Sequence, residues 1–509
     1  MGLPGQHRRR PRRLRGRPAA AGEQGRRAGE GAHHQVRRAP EAARPAPRRR
    51  RLRALHRADP AAGARAVRRR QRPLRAALAA DRGGDFLTGG SRVSRRGLLG
   101  GGVAAAGAAG AFAVGRASAP GEGTAAAAPG ATSYPFRGER QAGIVTPAQD
   151  RLHFVALDVT TDDRDELVRL LQAWTEAAER MTQGGSAGPV GPVEGAADAP
   201  PDDTGEAIGL PPSGLTITFG FGPTLFRDAD GNDRFGIADR RPAALEPLPL
   251  FSADVIDPGR SGGDLCIQAC ADDPQVAVHA IRNLVRMGFG TTAVRWSQLG
   301  FGRTSTTSTS QSTPRNLFGF KDGTANIKAE EGAALDEHVW VGGDDDPAAV
   351  WLSGGSYLVA RRINMNIEIW DRQSLDAQEQ FVGRTKGSGA PLSGGKEFSD
   401  PDFGIEGSAG PLIPVDAHVR VVHPDQFDGV RMLRRGYNFV DGSNDVGGLD
   451  AGLFFIAYVR DPRTHFIPLQ RAMAKSDALM EYLRFTSSAL FAVPPGVGKG
   501  EYVGQALFG

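Results

Sequence analysis

Cysteine, tryptophan and tyrosine are scarce in this chain of 509 residues, which contains two, five and six of them. A disulfide between the two cysteines is excluded if they share one strand, as the run at residues 264–273 predicts. Cys266 and Cys270 would then be separated by roughly 13 Å, well beyond the Cα separation in a disulfide. A CxxxC metal site would need a helix and further ligands nearby. We therefore expect two buried thiols.

Acidic residues and lysine are nearly missing from residues 1–90, which contain 25 Arg, no Lys and six acidic side chains. This segment also lacks a hydrophobic period, because Arg, Ala, Pro and Gly follow one another in nearly random order. It therefore cannot form a packed domain, and we expect a disordered extension. A basic tail for nucleic acid is one interpretation. We favour an over-extended gene start, in which GC-rich upstream DNA is read as protein.

The net charge of +6 comes from residues 1–90, whereas the rest of the chain, residues 91–509, is acidic. Removing residues 1–90 from the totals of 63 basic and 57 acidic residues leaves 38 and 51, a net charge of −13 for residues 91–509. Phosphate binding needs clustered Lys and Arg on the folded surface, so we expect no nucleic-acid partner. The apolar fraction of 40% fits a soluble globular protein with a sizeable core.

Residues 91–119 combine paired arginines with a modest apolar stretch. Arg95 and Arg96 precede a Gly- and Ala-rich run that reaches Val114, and small residues follow at 117–119. These are the parts of a twin-arginine export signal, with its receptor-read pair, apolar core and cleavage site. A membrane anchor is the alternative, since about 18 residues approach the length of a span. We expect export in folded form to the periplasm, the cell envelope or the outside, with residues 120–133 as a linker.

The body alternates strand and helix patterns. The first half has the order strand, helix, strand, strand, helix, strand, at residues 153–159, 163–181, 215–222, 265–271, 274–287 and 292–299. The second half repeats this plan, at residues 357–370, 375–381, 431–440, 453–459, 468–485 and 490–493. This βαββαβ order is that of a ferredoxin-like unit. We predict an α+β fold with antiparallel sheets, built from two ferredoxin-like halves at 134–318 and 319–509, with a cleft or cofactor at their interface.

Several blocks of the body resemble the dye-decolorising peroxidase family. The run from Gly319 to Gly323 matches its GxxDG signature. Similar blocks lie at residues 136–147, 215–226, 381–392, 417–420, 432–437 and 452–458. The resemblance covers roughly residues 134–508. With the export signal and the long loop after the first helix, the chain is most similar to the exported deferrochelatase/peroxidase branch, which belongs to a ferrous-iron uptake system.

The resemblance implies a haem b cofactor with His418 as the proximal ligand of the iron. The sequence alone does not distinguish it from the other histidines beyond residue 120, which are His153, His279, His338, His423 and His465. His423 replaces an Asn that family members often have, so a second imidazole lies near the expected ligand. We expect His418 on a strand, and Asp450 as the acid that is hydrogen-bonded to it and raises its basicity.

On the peroxide side, the resemblance implies that Asp322 is the base and that Arg434 stabilises the charge that develops as the O–O bond breaks. An Asp-Gly pair is otherwise an ordinary turn. Strand alternation should send one of Arg434 and Arg435 inward and the other to solvent, and the family's distal Arg is the first of the pair. Arg384 is expected to bind a haem propionate. The backbone of three residues is expected to line the pocket: Gly323, Thr324 and Ala325.

The implied function is that of a peroxidase, which uses hydrogen peroxide to oxidise small aromatic or phenolic donors through an oxoferryl intermediate. A second hypothesis is a deferrochelatase role in iron uptake, oxidising ferrous iron or removing iron from haem, with a permease and a cupredoxin-like protein as partners. A third is a non-catalytic haem carrier, which would fit a distal face without a base and a cation. We also expect a homo-oligomer, with a dimer as the expected state.

Overall fold

The computed structural model describes Gly130 and residues 132–509. The predictions for residues 1–90 and for the signal at 91–119 therefore lie outside the described residues, as does nearly all of the linker. None of the helices within residues 132–509 combines the length and the apolar character needed to cross a membrane.

Strands and helices alternate along the body. The strands are β1 Arg151–Val159, β2 Thr216–Phe221, β3 Leu265–Ala271, β4 Thr292–Arg303, β5 Ser356–Met365, β6 Glu406–Gly407, β7 Gly410–Pro411, β8 Leu433–Arg434, β9 Tyr437–Ser443, β10 Leu449–Val459, β11 Leu483–Phe485 and β12 Ala489–Val493. The α-helices are α1 Arg164–Thr182, α2 Pro223–Phe226, α3 Pro274–Met287, α4 Gly332–His338, α5 Ile367–Trp370, α6 Leu375–Val382, α7 His418–Val421, α8 Pro462–His465, α9 Ile467–Ser476 and α10 Gln505–Phe508. Short 3₁₀ turns lie at Ala238–Arg240, Pro258–Arg260, Pro347–Leu352, Pro424–Gln426 and Ala478–Tyr482.

All the long strands belong to one antiparallel sheet of ten strands that closes on itself. Its order is β11-β5-β12-β2-β3-β1-β4-β9-β10-β8, and β5 also pairs with β10. The register of β5 against β10 runs from Tyr357 opposite Val459 to Asn364 opposite Gly452. β5 pairs with β10 on one side and with β12 on the other. The ring therefore contains eight strands, in the order β5, β12, β2, β3, β1, β4, β9 and β10.

The two halves of the ring have the same strand order. In the first half the order is β2-β3-β1-β4, and in the second it is β9-β10-β5-β12, so each places its strands as second, third, first and fourth. The fourth strand of each half pairs with the second strand of the other, since β4 pairs with β9 and β12 with β2. The predicted α+β fold of two ferredoxin-like halves is confirmed. The boundary at residue 318 stays a prediction.

Aromatic side chains fill the interior of the ring. The ring of Phe154 on β1 lies 5.4 Å from Phe454 on β10 and 6.1 Å from Phe491 on β12, although these strands are not neighbours of β1. Cys266 and Cys270 belong to the same buried cluster and are unbonded, as expected. The interior is therefore a packed core, and ligand sites must lie at its margins.

The outer face of the first half is covered by α1 and α3. The Asp163 side chain accepts hydrogen bonds from the backbone of Asp165 and Glu166, which fixes the start of α1. The apolar face of α1 contains the buried Trp174, whose ring stacks on that of Phe219 of β2 with the centroids 5.8 Å apart. The helical spacing of the sequence predicts both helices: the bounds of α3 are confirmed, and α1 is displaced by one residue at each end.

The long connection between α1 and β2 is fastened to α3. Nε2 of the buried His279 lies 2.8 Å from Oδ1 of Asp203. One turn further along, the amide of Asn283 accepts a hydrogen bond from the backbone N–H of Thr204 at 3.2 Å and donates to its hydroxyl at 2.8 Å. Buried polar side chains therefore fix this loop, despite its Gly- and Pro-rich sequence.

The two ends of the body lie side by side. Gly138 donates its backbone N–H to Val497 at 3.2 Å, and Gly496 donates to Glu139 at 3.0 Å. Arg137 extends this contact with a hydrogen bond of 2.9 Å from Nη1 to the carbonyl oxygen of Glu501.

Three predicted elements of the second half are wrong in extent. The strand predicted at 357–370 ends at Met365, because the backbone N–H of Asn366 bonds to Tyr482 and its carbonyl starts the turn of α5. The strand predicted at 431–440 is divided into β8 and β9. The helix predicted at 468–485 ends at Ser476, and Asp477 starts a 3₁₀ turn that leads into β11.

Candidate active site

His418 begins the short helix α7, so the prediction of a strand at this residue is wrong. Its Nδ1 lies 2.6 Å from Oδ2 of Asp477, whose side chain has no exposed surface. The other oxygen of Asp477 accepts the backbone N–H of Leu479 at 2.9 Å, which fixes the carboxylate. Because the carboxylate accepts the proton on Nδ1, Nε2 is the nitrogen with a free lone pair. Nε2 has no hydrogen-bond partner among the described residues.

The charges around His418 show which residues share its site. Burial lowers the pKa of the imidazole, but the charge and the hydrogen bond of Asp477 outweigh burial, and the net pKa is raised. Asp322 adds to this increase and Arg434 opposes it. Both charges are therefore near enough to act on the imidazole. The three residues singled out by sequence converge on one site.

The prediction that Asp450 is the acid beside His418 is wrong. Oδ1 of Asp450 accepts a hydrogen bond of 2.9 Å from Nη2 of Arg362 and another from Asn364, both on the neighbouring strand β5. These partners hold Asp450 on the sheet, and Asp477 takes the position beside the imidazole. The two acids are indistinguishable in the sequence, since Asp477 is 59 residues from His418.

His423 performs a capping role. Its Nδ1 accepts the backbone N–H of Asp425 at 3.4 Å, at the start of the turn Pro424–Gln426. Its ring packs edge-on against Phe403, with the ring centroids 5.0 Å apart. An Asn at this position would cap the same turn, because both side chains offer an acceptor to the first free backbone N–H.

Asp322 and Arg434 form an ion pair although they are 112 residues apart. Nη1 of Arg434 donates to Oδ1 of Asp322 at 2.9 Å, and the amide of Asn316 donates to Oδ2 at 3.2 Å. Each carboxylate oxygen therefore has a donor. Both charged side chains remain partly exposed, with 15% for Asp322 and 28% for Arg434.

Arg435 does not face solvent, contrary to the prediction from strand alternation. It has no exposed surface, and its guanidinium donates to the carbonyl of Thr146 at 2.6 Å and to the side chain of Gln149. The segment around residues 144–149 covers this side of β8 and supplies the acceptors. Arg435 is therefore structural, and Arg434 is the member of the pair that contacts Asp322.

The GxxDG loop is held on both sides. Gly323 has a φ of +84°, and a Cβ there would lie 2.8 Å from the Cα of Ser305. The hydroxyl of Thr324 donates to Glu397 at 3.3 Å, and Lys321 forms an ion pair with the same carboxylate. Ala325 is exposed.

Arg384 lies in the connection that follows α6. Its Nη1 donates to the carbonyl oxygens of Gly389 at 2.9 Å and Glu397 at 2.8 Å. Burial lowers its pKa, and the charges of Glu397 and Asp400 partly offset this effect. One guanidinium nitrogen thus orders the loop that also holds Lys321. The propionate contact predicted for Arg384 stays a prediction.

Three residues of the site were missed by sequence reasoning: Asn316, Asn326 and Asp477. The amide of Asn326 contacts both the backbone of Arg434 and the carbonyl of Thr306. Asn326 lies three residues after Gly323 and Asn316 six residues before Asp322, so proximity to the GxxDG signature is the one available signal for both. The contact of Asp477 with His418 spans 59 residues and is set by the tertiary fold.

Comparison with known proteins identifies the family. The Dyp-type peroxidase N-terminal model matches residues 141–302, and the C-terminal model matches residues 313–498. The chain is 41% identical to a dye-decolorizing peroxidase of Thermobifida fusca, over 72% of this chain and 83% of the relative. It is 36% identical to the deferrochelatase of Escherichia coli strain K12, over 73% of this chain and 86% of the relative.

Solved structures agree with these matches. A DyP-type peroxidase of Streptomyces coelicolor has a TM-score of 0.67 and 41% identity, over 74% of this chain and 98% of that chain. The ferric form of DtpA from Streptomyces lividans has a TM-score of 0.67 and 40% identity, over 76% and 100% of the two chains. An imidazole whose Nε2 has no partner among the described residues, within electrostatic reach of a carboxylate and a guanidinium, fits a haem iron with one protein ligand. The chain therefore belongs to the Dyp-type peroxidase family, and it is a peroxidase with a haem cofactor.

Proposed function

We propose that His418 holds the haem iron through Nε2 and that Asp322 and Arg434 together act on hydrogen peroxide. The observation that supports this assignment is the ion pair between Arg434 and Asp322, at 2.9 Å, whose charges both act on the imidazole of His418. A non-catalytic carrier would need neither a base nor a cation facing its ligand. The haem supplies the redox chemistry by which peroxide is reduced and an electron donor is oxidised.

Asp322 serves as the base for the peroxide proton. Its carboxylate accepts hydrogen bonds from Asn316 and Arg434, which fix its orientation without proton transfer, since an amide and a guanidinium keep their protons. A carboxylate can accept a proton from the peroxide, which is the role of a general base. The guanidinium of Arg434 stabilises negative charge on the departing oxygen.

Asp477 acts on the opposite side, through His418. Its carboxylate holds the proton on Nδ1 and gives the imidazole partial anionic character, which makes Nε2 a stronger donor to a bound iron. Arg384 holds a propionate with the guanidinium nitrogens that Gly389 and Glu397 do not use.

Stopped-flow absorbance after mixing with hydrogen peroxide tests the distal assignment. We expect Asp322→Asn and Arg434→Leu to retain haem and to slow the peroxide-dependent spectral change by roughly 100-fold or more. Unchanged rates in both variants would reject the distal roles. The ligand is tested separately, because His418→Ala should lose haem while His423→Ala should retain it.

A role in iron handling is the second candidate, because several relatives with 36–37% identity are named deferrochelatase. In this proposal the haem, or ferrous iron, is a substrate, and a permease and a cupredoxin-like protein are the partners. Recovery of intact, metal-free porphyrin after incubation with haem and a reductant would support it. Recovery of unchanged haem alone would reject iron removal.

Export and assembly complete the proposal. We propose that Arg95 and Arg96 direct the folded protein through the twin-arginine pathway and that cleavage follows residue 119. Replacement of both arginines by Lys should abolish export, which fractionation measures. We also propose a homodimer, and light scattering of the purified protein gives its mass.

A further inference from the structure

Asn326 contacts both backbone polar groups of Arg434. Its Oδ1 accepts the backbone N–H of Arg434 at 2.7 Å, and its Nδ2 donates to the backbone carbonyl of the same residue at 2.9 Å. The same Nδ2 donates to the carbonyl of Thr306, also at 2.9 Å. Asn326 is 2% exposed, so water does not compete for these bonds.

The hydrogen bonds from the Asn326 amide to the backbone of Arg434, called the bracket below, take the place of a neighbouring strand. β8 consists of Leu433 and Arg434 alone, and it pairs with β10 on one side. The next residue, Arg435, donates its N–H to Ile456 of β10 at 2.8 Å, so the polar groups of Arg434 point the other way. Within residues 132–509 no strand pairs with that side, and the amide of Asn326 supplies both the acceptor and the donor that a strand would offer.

The opposite end of the bracket is tied to Asp322. Asn326 donates its own N–H to the carbonyl of Gly323 at 3.1 Å, which closes a turn directly after Asp322. Nζ of the buried Lys328 donates to the carbonyl of Thr306 at 2.9 Å and to that of Gly323 at 3.3 Å. Asn326 thus connects the turn that contains Asp322 with the backbone of Arg434.

We propose that Asn326 is a positioning residue that sets the separation of the Arg434 guanidinium from the Asp322 carboxylate. The inference depends on the proposed distal roles of these two residues. Loss of the bracket releases the outer edge of a strand of two residues, so the guanidinium moves relative to the reacting oxygen. Misplacement of about 1 Å costs roughly 100-fold in rate.

Hydrogen exchange measured by mass spectrometry tests the bracket without using activity. We expect Asn326→Ala to speed exchange in a peptide that contains Arg434, whose N–H loses its acceptor, and to leave β3 and β1 unchanged. Unchanged exchange at Arg434 would overturn the proposal. Faster exchange throughout the sheet would also overturn it, because it would indicate general destabilisation.

Stopped-flow kinetics test the consequence for peroxide. We expect Asn326→Ala to retain the haem spectrum and to slow the reaction with peroxide by roughly 10- to 100-fold. In the Arg434→Leu background, the same substitution should slow it by less than about twofold, because residues that act through one another are not additive. Equal slowing in both backgrounds would overturn the proposal. If Arg434→Leu alone is as fast as the parent, the distal role has failed, and the exchange experiment still decides the bracket.

Asn283→Ala is the matched control. Asn283 is also a buried Asn with three hydrogen bonds, since it accepts the N–H of Thr204 and donates to the hydroxyl of Thr204 and the carbonyl of His279. We expect it to lower thermal stability as Asn326→Ala does and to change the peroxide rate by less than about twofold. If Asn326→Ala does not fold, Asn326→Ser keeps one polar atom and should show the same selective loss, and a parent-like peroxide rate in this variant would overturn the proposal.

Discussion

Asp477 fixes the imidazole of His418, because its carboxylate lies 2.6 Å from Nδ1. Asp450 is held on the sheet by Arg362 and Asn364, so it does not reach the imidazole. His418, Asp322 and Arg434 could be named because the resemblance selected them. Their neighbours could not, because contacts between residues 59 or 112 apart are set by the closed sheet.

Asp477→Asn tests the proximal acid. Asn can still accept the N–H of Leu479, so the turn should remain intact, but it is a weaker acceptor for Nδ1 of His418. We expect retained haem, a higher ferric/ferrous reduction potential and a peroxide rate lower by roughly 10- to 100-fold. Spectroelectrochemistry measures the potential. Asp450→Asn is the control, and a shift of similar size in that variant would contradict the assignment.

Lys328 predicts how stability changes with pH. The pKa of Lys328 is lowered to about 8, chiefly by burial; the charges of Arg434 and Arg431 contribute to the decrease, and those of Glu331 and Glu330 oppose it. The folded protein therefore loses this proton near pH 8, whereas the unfolded chain keeps it until about pH 10.4. Between these values the unfolded state binds more protons, so this residue's contribution to stability rises with pH.

Comparison with Lys328→Met isolates that contribution. We expect the thermal midpoint of the parent, relative to this variant, to increase between about pH 8 and pH 10, and to be flat between about pH 6 and pH 7. Thermal unfolding at matched ionic strength measures it. A difference that falls over the upper range would show that the ammonium is stabilised in the fold.

At the scale of elements, the sequence predicted the first half better than the second. The helix Pro274–Met287 and the strand Leu265–Ala271 have the predicted bounds, because a clear hydrophobic period extends through each. In the second half, Asn366 and Asp477 end elements that the pattern would continue. The break at Asn366 is set by a distant partner, the carbonyl of Tyr482, whereas Asp477 caps the next turn through the backbone N–H of Leu479 and also contacts the imidazole of His418.

Gly323→Ala tests the turn that carries the base. This substitution adds strain at a φ of +84° and places Cβ 2.8 Å from the backbone of Ser305, so the loop must move. We expect lower stability and a lower peroxide rate. Gly429→Ala is the control, since it has a φ of +83° and open space around a Cβ. It should cost about 1–2 kcal/mol and leave the rate unchanged. Equal effects on the rate would remove the role assigned to the turn.

At the scale of the molecule, a buried ion pair joins the two halves. Arg361 on β5 has no exposed surface and pairs with Asp254, which lies in the connection between β2 and β3. The guanidinium also lies 4.9 Å from the ring of Phe485 and 5.3 Å from that of Phe251. No local pattern in either segment predicts this contact, because its two partners come from different halves.

Asp254→Ala should therefore destabilise the whole protein. It leaves Arg361 buried without its counter-charge, at a cost of about 3–5 kcal/mol. Chemical denaturation followed by haem absorbance and by far-ultraviolet circular dichroism measures the loss. Asp239→Ala removes the exposed pair with Arg227 and should change stability by less than about 1 kcal/mol. Comparable losses in the two variants would contradict the argument.

Because the first and last segments of the body lie side by side, the same fold could be built by a chain that begins and ends at a different point. A linker could run from Gly509 back to residue 137, since Arg137 already bonds to the carbonyl of Glu501 in the last segment. New ends could open at the turn between β9 and β10, where Val446 is 90% exposed. Such a circular permutant would keep every strand pairing of the ring, and it would place Asp477 near the new start of the chain and His418 near its new end, so the first and last segments to be synthesised would have to meet before the imidazole has its acid.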